Sequence, residues 1–390
     1  MSHFHKALDA ARQVGVEHAG PHAAAVDKDA RFPREAIEAL QKARLLGASV
    51  PEAFGGLGLT LPELALLCQA LGQHCASAAM VFAMHHIQVA CIARHAAEVP
   101  FFRAYLGEIA EKQLLIASVT SEVGVGGDLR SSIAAIVPQP QTSDGFILEK
   151  NATTISYGAY ADDLLVTCRS GPDAVAGDQV LVLVRKADYT LERTGVWDTL
   201  GMRGTCSPGF KLIARGKTSQ ILPLGFPDIA SRTMVPYSHI LWGGTWLGIA
   251  TDAVARARAY VRGEARKKPG TMPPMALRAA EASTQLHTMR STVLESAREV
   301  AELHAVAGAD EVMATVGWAL RLNHVKIAAS TLVAQIVTDA LHICGIAGYR
   351  QDTPYSLGRH LRDAHSAALM IGNDRIHATN AAFLCVHKEE

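Results

Sequence analysis

The chain has no excess of charge of either sign: 37 Lys and Arg stand against 37 Asp and Glu in 390 residues. That balance argues against a basic face for nucleic acid and against a polybasic membrane anchor. Cysteine is sparse and unpatterned. The seven copies, at 68, 75, 91, 168, 206, 344 and 385, contain no Cys-x-x-Cys pair, so they read as buried thiols in a reducing compartment rather than as a disulfide framework. The opening MSHFHKALDA lacks the apolar stretch of a secretory signal. The longest apolar run, 327–344, carries Gln335 and Asp339, and suits a buried helix better than a membrane span. A cytoplasmic protein with neither nucleic acid nor membrane as partner is the expectation.

What is present is helix at both ends and strand in the middle. Residues 116–132 and 145–169 change to short runs rich in Ile, Val, Thr and Tyr, broken by Gly and Asp-Gly turns, which is strand behaviour. The chain is long enough for several domains, and divides into a helical domain over 1–114, a β domain over 115–225 and a helical domain over 226–390. A sheet held between helical blocks leaves a cleft at their junction, where cofactors usually sit. In RFPREAIEALQKARLLG (31–47), Pro33 suits a first helical turn and Gly47 is expected to close the helix. Thr60-Leu61-Pro62-Glu63 has the spacing of a capping box, and the Gly-rich stretch 50–59 before it must be a tight loop. A helix over 78–96 carries His85 and His86. Adjacent residues on a helix diverge, so packed or cleft-lining roles are expected rather than a shared metal. Prolines and glycine in 267–275 interrupt the last block. Beyond them, Leu322, Val325, Ala329, Leu332, Ile336, Ala340 and Ile343 fall at helical spacing, and this helix, apolar on its other faces too, is expected at the centre of a bundle.

Six segments in order carry a resemblance. They are FPREAIEALQKARLLGASVPEAFGGLGL (32–59), the run from Ser121 to Asp128, Thr154-Ile155-Ser156-Tyr157-Gly158, Leu200-Gly201-Met202-Arg203-Gly204-Thr205, the run from His342 to Tyr349, and Arg362-Asp363-Ala364. Together they resemble the acyl-CoA dehydrogenase family over nearly the whole chain. The resemblance implies a mainly α fold with a central β domain: an N-terminal helical domain, a barrel-like middle domain and a C-terminal four-helix bundle. It also implies a homodimer or homotetramer, with FAD lying between sheet and bundle. Residues at the matching positions are Thr120, Ser121, Gly126, Asp128, Thr154, Ser156 and Gly345, together with Arg266, whose counterpart meets the pyrophosphate of a neighbouring subunit's FAD. Ser121 and Ser156 keep hydroxyls for the flavin ring. Thr154 replaces an aromatic residue, Pro269 replaces a Phe after Arg266, and Leu277 stands where a Gln is expected. The first reduces the aromatic cover over the flavin, and the other two make FMN the second option for the cofactor.

The reaction implied is α,β-dehydrogenation of an acyl thioester, on CoA or a carrier protein, with electron-transfer flavoprotein or dioxygen as acceptor. It needs a base for the Cα proton and donors for the thioester carbonyl. The position of the family's usual Glu falls on Ile371, which retains only a backbone N–H. Some members carry the Glu on a helix, about ten residues before a Gly-x-x-Gly turn. Matching that turn to GGTWLG (243–248) puts the site near Ser238 and makes His239, then Tyr237, the replacement bases. Each is equally readable as a polar residue lining a pocket mouth. Asp374 is a further carboxylate, equally readable as part of a helix-start motif with Asn373 and Arg375, and His365 is a lesser candidate. A second reading is a two-component flavin monooxygenase on the same fold, which dispenses with the Glu. A third is a flavoprotein with redox-neutral chemistry.

Overall fold

A computed structural model of the chain describes residues 3–140 and 142–388. The first helices are α1 (His3–Val14), α2 (Gly20–Lys28), α3 (Arg34–Lys42), α4 (Leu61–Gly72), α5 (Ala76–His95) and α6 (Pro100–Lys112). Pro33 precedes α3 as expected, but the helix ends at Lys42 and not at Gly47. Arg44 makes the left-handed turn instead, with φ +60°, and Leu45 N–H returns to the Leu40 carbonyl at 2.9 Å. A non-glycine residue is costly there; the Arg44 guanidinium offsets it by donating to the Ala110 carbonyl at 2.8 Å. The capping box of α4 forms, with Glu63 accepting from the Thr60 N–H at 2.8 Å. His85 and His86 are buried in α5, bonded to the carbonyls of Leu46 (2.7 Å) and Leu45 (3.0 Å). Both are packing residues, and no cluster of metal-ligating side chains occurs among the described residues.

Among the described residues seven strands follow: β1 (Ile116–Val119), β2 (Ile136–Pro138), β3 (Gly145–Ala152), β4 (Asp163–Arg169), β5 (Gln179–Val184), β6 (Tyr189–Arg193) and β7 (Phe210–Lys217). One sheet has the order β1-β4-β5, with β1 parallel and β5 antiparallel to β4. The other is antiparallel, in the order β2-β3-β7-β6. Among the described residues an isolated bridge between Ala135 and Arg169 links the two sheets. β3 alternates as a half-buried strand should, with Phe146, Leu148, Lys150 and Ala152 turned inward. Lys150 breaks the apolar pattern. Its ammonium reaches the Thr167 carbonyl at 2.7 Å and stands 3.6 Å from the buried Glu122 carboxylate.

The chain then returns to helix: α7 (Phe226–Ile229), α8 (Val235–Lys267), α9 (Ala276–His304), α10 (Ala309–Met313), α11 (Val316–Cys344), α12 (Ile346–Tyr349), α13 (Gly358–His365) and α14 (Asn373–Leu384). The centre of the bundle is α8, not α11. Every residue of α8 from Pro236 to Ala250 is buried, among α4, α5, α9 and α11. α11 leaves Thr331 and Gln335 exposed and Leu332 half-buried. GGTWLG is correspondingly no turn; it lies inside α8 and brings two helix backbones together. A Cβ on Gly244 would stand 2.7 Å from the Ala65 carbonyl oxygen, and one on Gly248 2.5 Å from that of Gln69. Among the described residues two helices, α5 and α11, are long and apolar enough to cross a membrane, but 89% of the apolar window of α5 is buried against the rest of the chain.

Because the α4–α8 crossing has no room for a side chain, Gly248→Val should destabilise the fold by about 1–3 kcal/mol or more. Chemical denaturation of the variant beside wild type measures this, and Gly107→Ala in α6, where a Cβ meets nothing within 4 Å and the backbone is helical, controls for glycine loss in general.

Candidate active site

Two loops meet at the end of the sheets. The chain leaves β1 through Thr120 and Ser121, and leaves β3 through Thr154 and Ser156. Val123 N–H donates to the Asn151 carbonyl at 2.8 Å, so the two exits run side by side. Ser121 and Thr154 clamp each other: the Ser121 hydroxyl donates to the Thr154 carbonyl at 2.6 Å and accepts the Thr154 N–H at 3.1 Å. The Ser121 proton is therefore committed within the protein. Ser156 Oγ accepts from Ser207 at 2.8 Å and keeps its own proton without an acceptor among the described residues. Behind these hydroxyls Glu122 anchors the loop, accepting from the Ser132 hydroxyl at 2.7 Å and from the amides of Ile133 (3.0 Å) and Ala134 (2.6 Å). A buried carboxylate with three donors and Lys150 beside it is satisfied, and rigid for that reason.

Farther along, Gly124, Gly126 and Gly127 all take positive φ (96°, 61° and 77°). The amides of residues 124–127 have no well-formed hydrogen bond among the described residues, an arrangement that suits an anionic group such as a pyrophosphate. Asp128 caps this turn by accepting from the Arg130 N–H at 3.0 Å, which holds its carboxyl below the usual range. Arg375 of α14 donates to the Gly126 carbonyl. That bond draws the segment 371–375 onto the glycine loop. The sequence landmarks meet as well: Asp363 of α13 accepts the Met202 N–H at 2.7 Å.

The turn at Ile371 is unusual. Ile371 has φ +53° and is 40% exposed, and its N–H has no acceptor among the described residues. Its carbonyl accepts from Lys326 Nζ at 2.6 Å, and the same ammonium reaches Asn373 Oδ1 at 2.6 Å. Lys326 lies on the buried face of α11 with 0% exposure, and no carboxylate stands within ion-pairing distance among the described residues. Burial lowers its pKa to about 8. Asp374 is exposed at the start of α14, in keeping with a helix-start motif, and His365 is exposed on α13. Arg266 is exposed on the last turn of α8, and Gly345 ends α11 with φ +56°. Neither bonds to the cluster.

This architecture has close counterparts. The acyl-CoA dehydrogenase N-terminal domain matches residues 3–113 and the C-terminal domain matches residues 228–382. The chain belongs to the acyl-CoA dehydrogenase family. Cyclohex-1-ene-1-carbonyl-CoA dehydrogenase of Geobacter metallireducens is 24% identical over 382 residues, covering 95% of this chain and 94% of that protein. Among solved structures, butyryl-CoA dehydrogenase from Megasphaera elsdenii superposes with a TM-score of 0.82 at 20% identity, covering 99% of this chain and 98% of that one. Dibenzothiophene monooxygenase (TdsC) from a Paenibacillus species does so with 0.81 at 20% identity and the same coverage, and it has also been solved with FMN bound. The family binds FAD, and its members are flavin oxidoreductases. The residues present fit such a cofactor: a loop of unpaired amides for phosphate, and hydroxyls of Thr120, Thr154 and Ser156 beside it.

Within this acyl-CoA dehydrogenase fold, the candidate bases separate. Tyr237 lines a cavity of about 560 Å³ with Ser49, Leu59, Ala90 and Arg94. Burial raises its pKa, so it remains protonated and acts as a donor. His239, two residues further along the helix, faces α11: its Nδ1 donates to the Leu322 carbonyl at 3.1 Å. Burial, followed by the Leu322 bond and then the charge of Lys326 acting in opposite directions, leaves the imidazole at about 4. It is neutral, with Nε2 as a lone-pair acceptor.

Asp363 supplies a pH test of the turn that holds the landmarks together. Burial lifts its carboxyl to about 6, above the unfolded value near 3.9. Between about pH 4 and 6 the folded state holds a proton that the unfolded chain has released, so this group's contribution to stability falls as pH rises and then levels off. Asp363→Asn keeps an acceptor for Met202 without the charge. Its stability relative to wild type should rise by about 3 kcal/mol from pH 4 to pH 7, read by urea denaturation at each pH; a pH-independent difference would contradict the assignment.

Proposed function

We propose that this family member removes hydrogens from Cα and Cβ of an acyl thioester, carried on CoA or a carrier-protein arm, with His239 in place of the family's carboxylate base. The observation that carries the reading is the turn at Ile371, which offers an unpaired backbone N–H where the side chain can accept no proton. That N–H donates to the thioester carbonyl and stabilises the negative charge that develops there as the Cα proton leaves. His239 Nε2 takes the proton, being neutral and oriented by Leu322. Asp374 is the alternative acceptor, and Tyr237, kept protonated by burial, donates at the pocket wall. FAD, or FMN as second choice, supplies the acceptor for the hydride from Cβ. Thr120, Thr154 and Ser156 would hold its ring edge with Ser121 bracing Thr154, Gly126 and Asp128 would shape the phosphate loop, and Arg266 with Gly345 would serve the adenine-nucleotide end across a homodimer or homotetramer. Electron-transfer flavoprotein or dioxygen would be the electron acceptor, in the cytoplasm. The missing carboxylate at 371 favours one other reading, a flavin monooxygenase like the fold neighbour TdsC.

The test is enoyl-product formation by the flavin-loaded enzyme with a panel of acyl-CoA thioesters and an artificial electron acceptor. His239→Ala should lower kcat about 10²–10⁴-fold with little change in thioester affinity, and Tyr237→Phe should lower it far less. Unchanged turnover in His239→Ala would remove the imidazole from the chemistry.

A further inference from the structure

A β-branched residue at positive φ is a genuine outlier, strained and kept only where its surroundings over-determine it. Ile371 is such a residue, and its surroundings come from one helix. Lys326 and Ser330, one turn apart on α11, both face the turn. Lys326 Nζ binds the Ile371 carbonyl and Asn373 Oδ1, each at 2.6 Å. Asn373 Nδ2 in turn donates to Ser330 Oγ at 3.1 Å. The ammonium thus straddles Gly372, gripping the residue on either side. Stability alone does not call for a cation in this place. A buried charge without a carboxylate partner is costly, and an apolar side chain of similar volume is commonly as good or better. The neighbouring Trp246, whose ring centre is 6.0 Å from Nζ and whose indole N–H is unpartnered among the described residues, provides at most a weak cation–π contact.

We infer that Lys326, aided by Asn373 and Ser330, is a positioning residue that fixes the Ile371 peptide so that its free N–H meets the thioester carbonyl. The inference rests on the dehydrogenase reading, and names the group that makes an isoleucine turn serviceable in it. Lys326 does not touch the substrate; it is fully buried and acts through the backbone it holds. In the same place its charge helps to keep His239 unprotonated, so one side chain conditions both the donor and the acceptor of the proposed reaction.

The test measures the carbonyl contact directly. The flavin-loaded enzyme is titrated by calorimetry with butyryl-, hexanoyl- and octanoyl-CoA and with the matching S-alkyl-CoA thioethers, which lack the carbonyl oxygen. Wild type should bind the best thioester about tenfold more tightly than its thioether. Lys326→Met should bring that ratio close to one and lower kcat about a hundredfold, with the thermal midpoint little changed. Asn373→Ala, which leaves the α11 side of the contact intact, should do the same to a smaller degree and guards against misfolding of the first variant. A ratio and kcat that survive in both variants would overturn the positioning role while leaving the dehydrogenase reading standing. A wild-type enzyme that does not distinguish thioester from thioether would remove the reading itself, and this role with it.

Discussion

Backbone contact between α4 and α8 is the constraint from which the rest of the molecule is arranged. Helices normally stand 8–10 Å apart on their side chains. Here Gly244 and Gly248 leave no space for a Cβ against the carbonyls of Ala65 and Gln69, so α8 sinks into the core with residues 236–250 all buried. A helix buried on every side must turn some polar groups inward. Tyr237 goes to the cavity beside α5 and His239 goes to α11, because neighbouring positions on a helix point apart. The crossing decides which of the two faces the cavity and which faces α11, and burial there reinforces what each is at neutral pH, a protonated phenol and a neutral imidazole.

Two buried cations fasten the loops to this frame, and their circumstances differ. Lys150 has Glu122 at 3.6 Å, and the carboxylate spends its remaining capacity on three donors in the segment 132–134. The pair is neutral overall and locks the β1 exit. Lys326 has only a carbonyl and an amide oxygen; its charge is uncompensated, and its pKa falls accordingly. The first lysine is explained by the fold. The second makes physical sense as a clamp on the Ile371 turn, because a peptide N–H held in place beforehand is what stabilises charge that develops on a bound carbonyl.

Much of this was readable from the residues. Thr60 and Glu63 announced a helix start by spacing alone, and the prolines at 269, 273 and 274 stopped a helix where they stood. Two of the landmarks that carry the resemblance lie against each other, Met202 donating its N–H to Asp363, a contact that no spacing in the chain announces. What could not be read was pairing through space. Glu122 looked like one polar residue in a glycine-rich run, and Arg375 like a partner for its helix neighbours, since neither Lys150 nor the Gly126 carbonyl is near in sequence. Lys326 did leave a signal: it sits on the face shared by Leu322, Ala329 and Val333, where a lysine contradicts the apolar pattern. Misreading α11 as the centre of the bundle had a different cause. Apolar periodicity reports that a helix is buried, but close glycine contact decides which helix lies deepest, and that depends on the partner backbone.

The central claim is that electrons leave a thioester without help from dioxygen. Anaerobic titration of the flavin-loaded protein with acyl-CoA thioesters tests it most directly, followed through the flavin's visible absorbance. Loss of the oxidised-flavin band on adding thioester alone, with enoyl product in matching amount, is the expected result. A band that persists with every thioester, in protein that consumes dioxygen once its flavin is reduced by other means, would contradict the account.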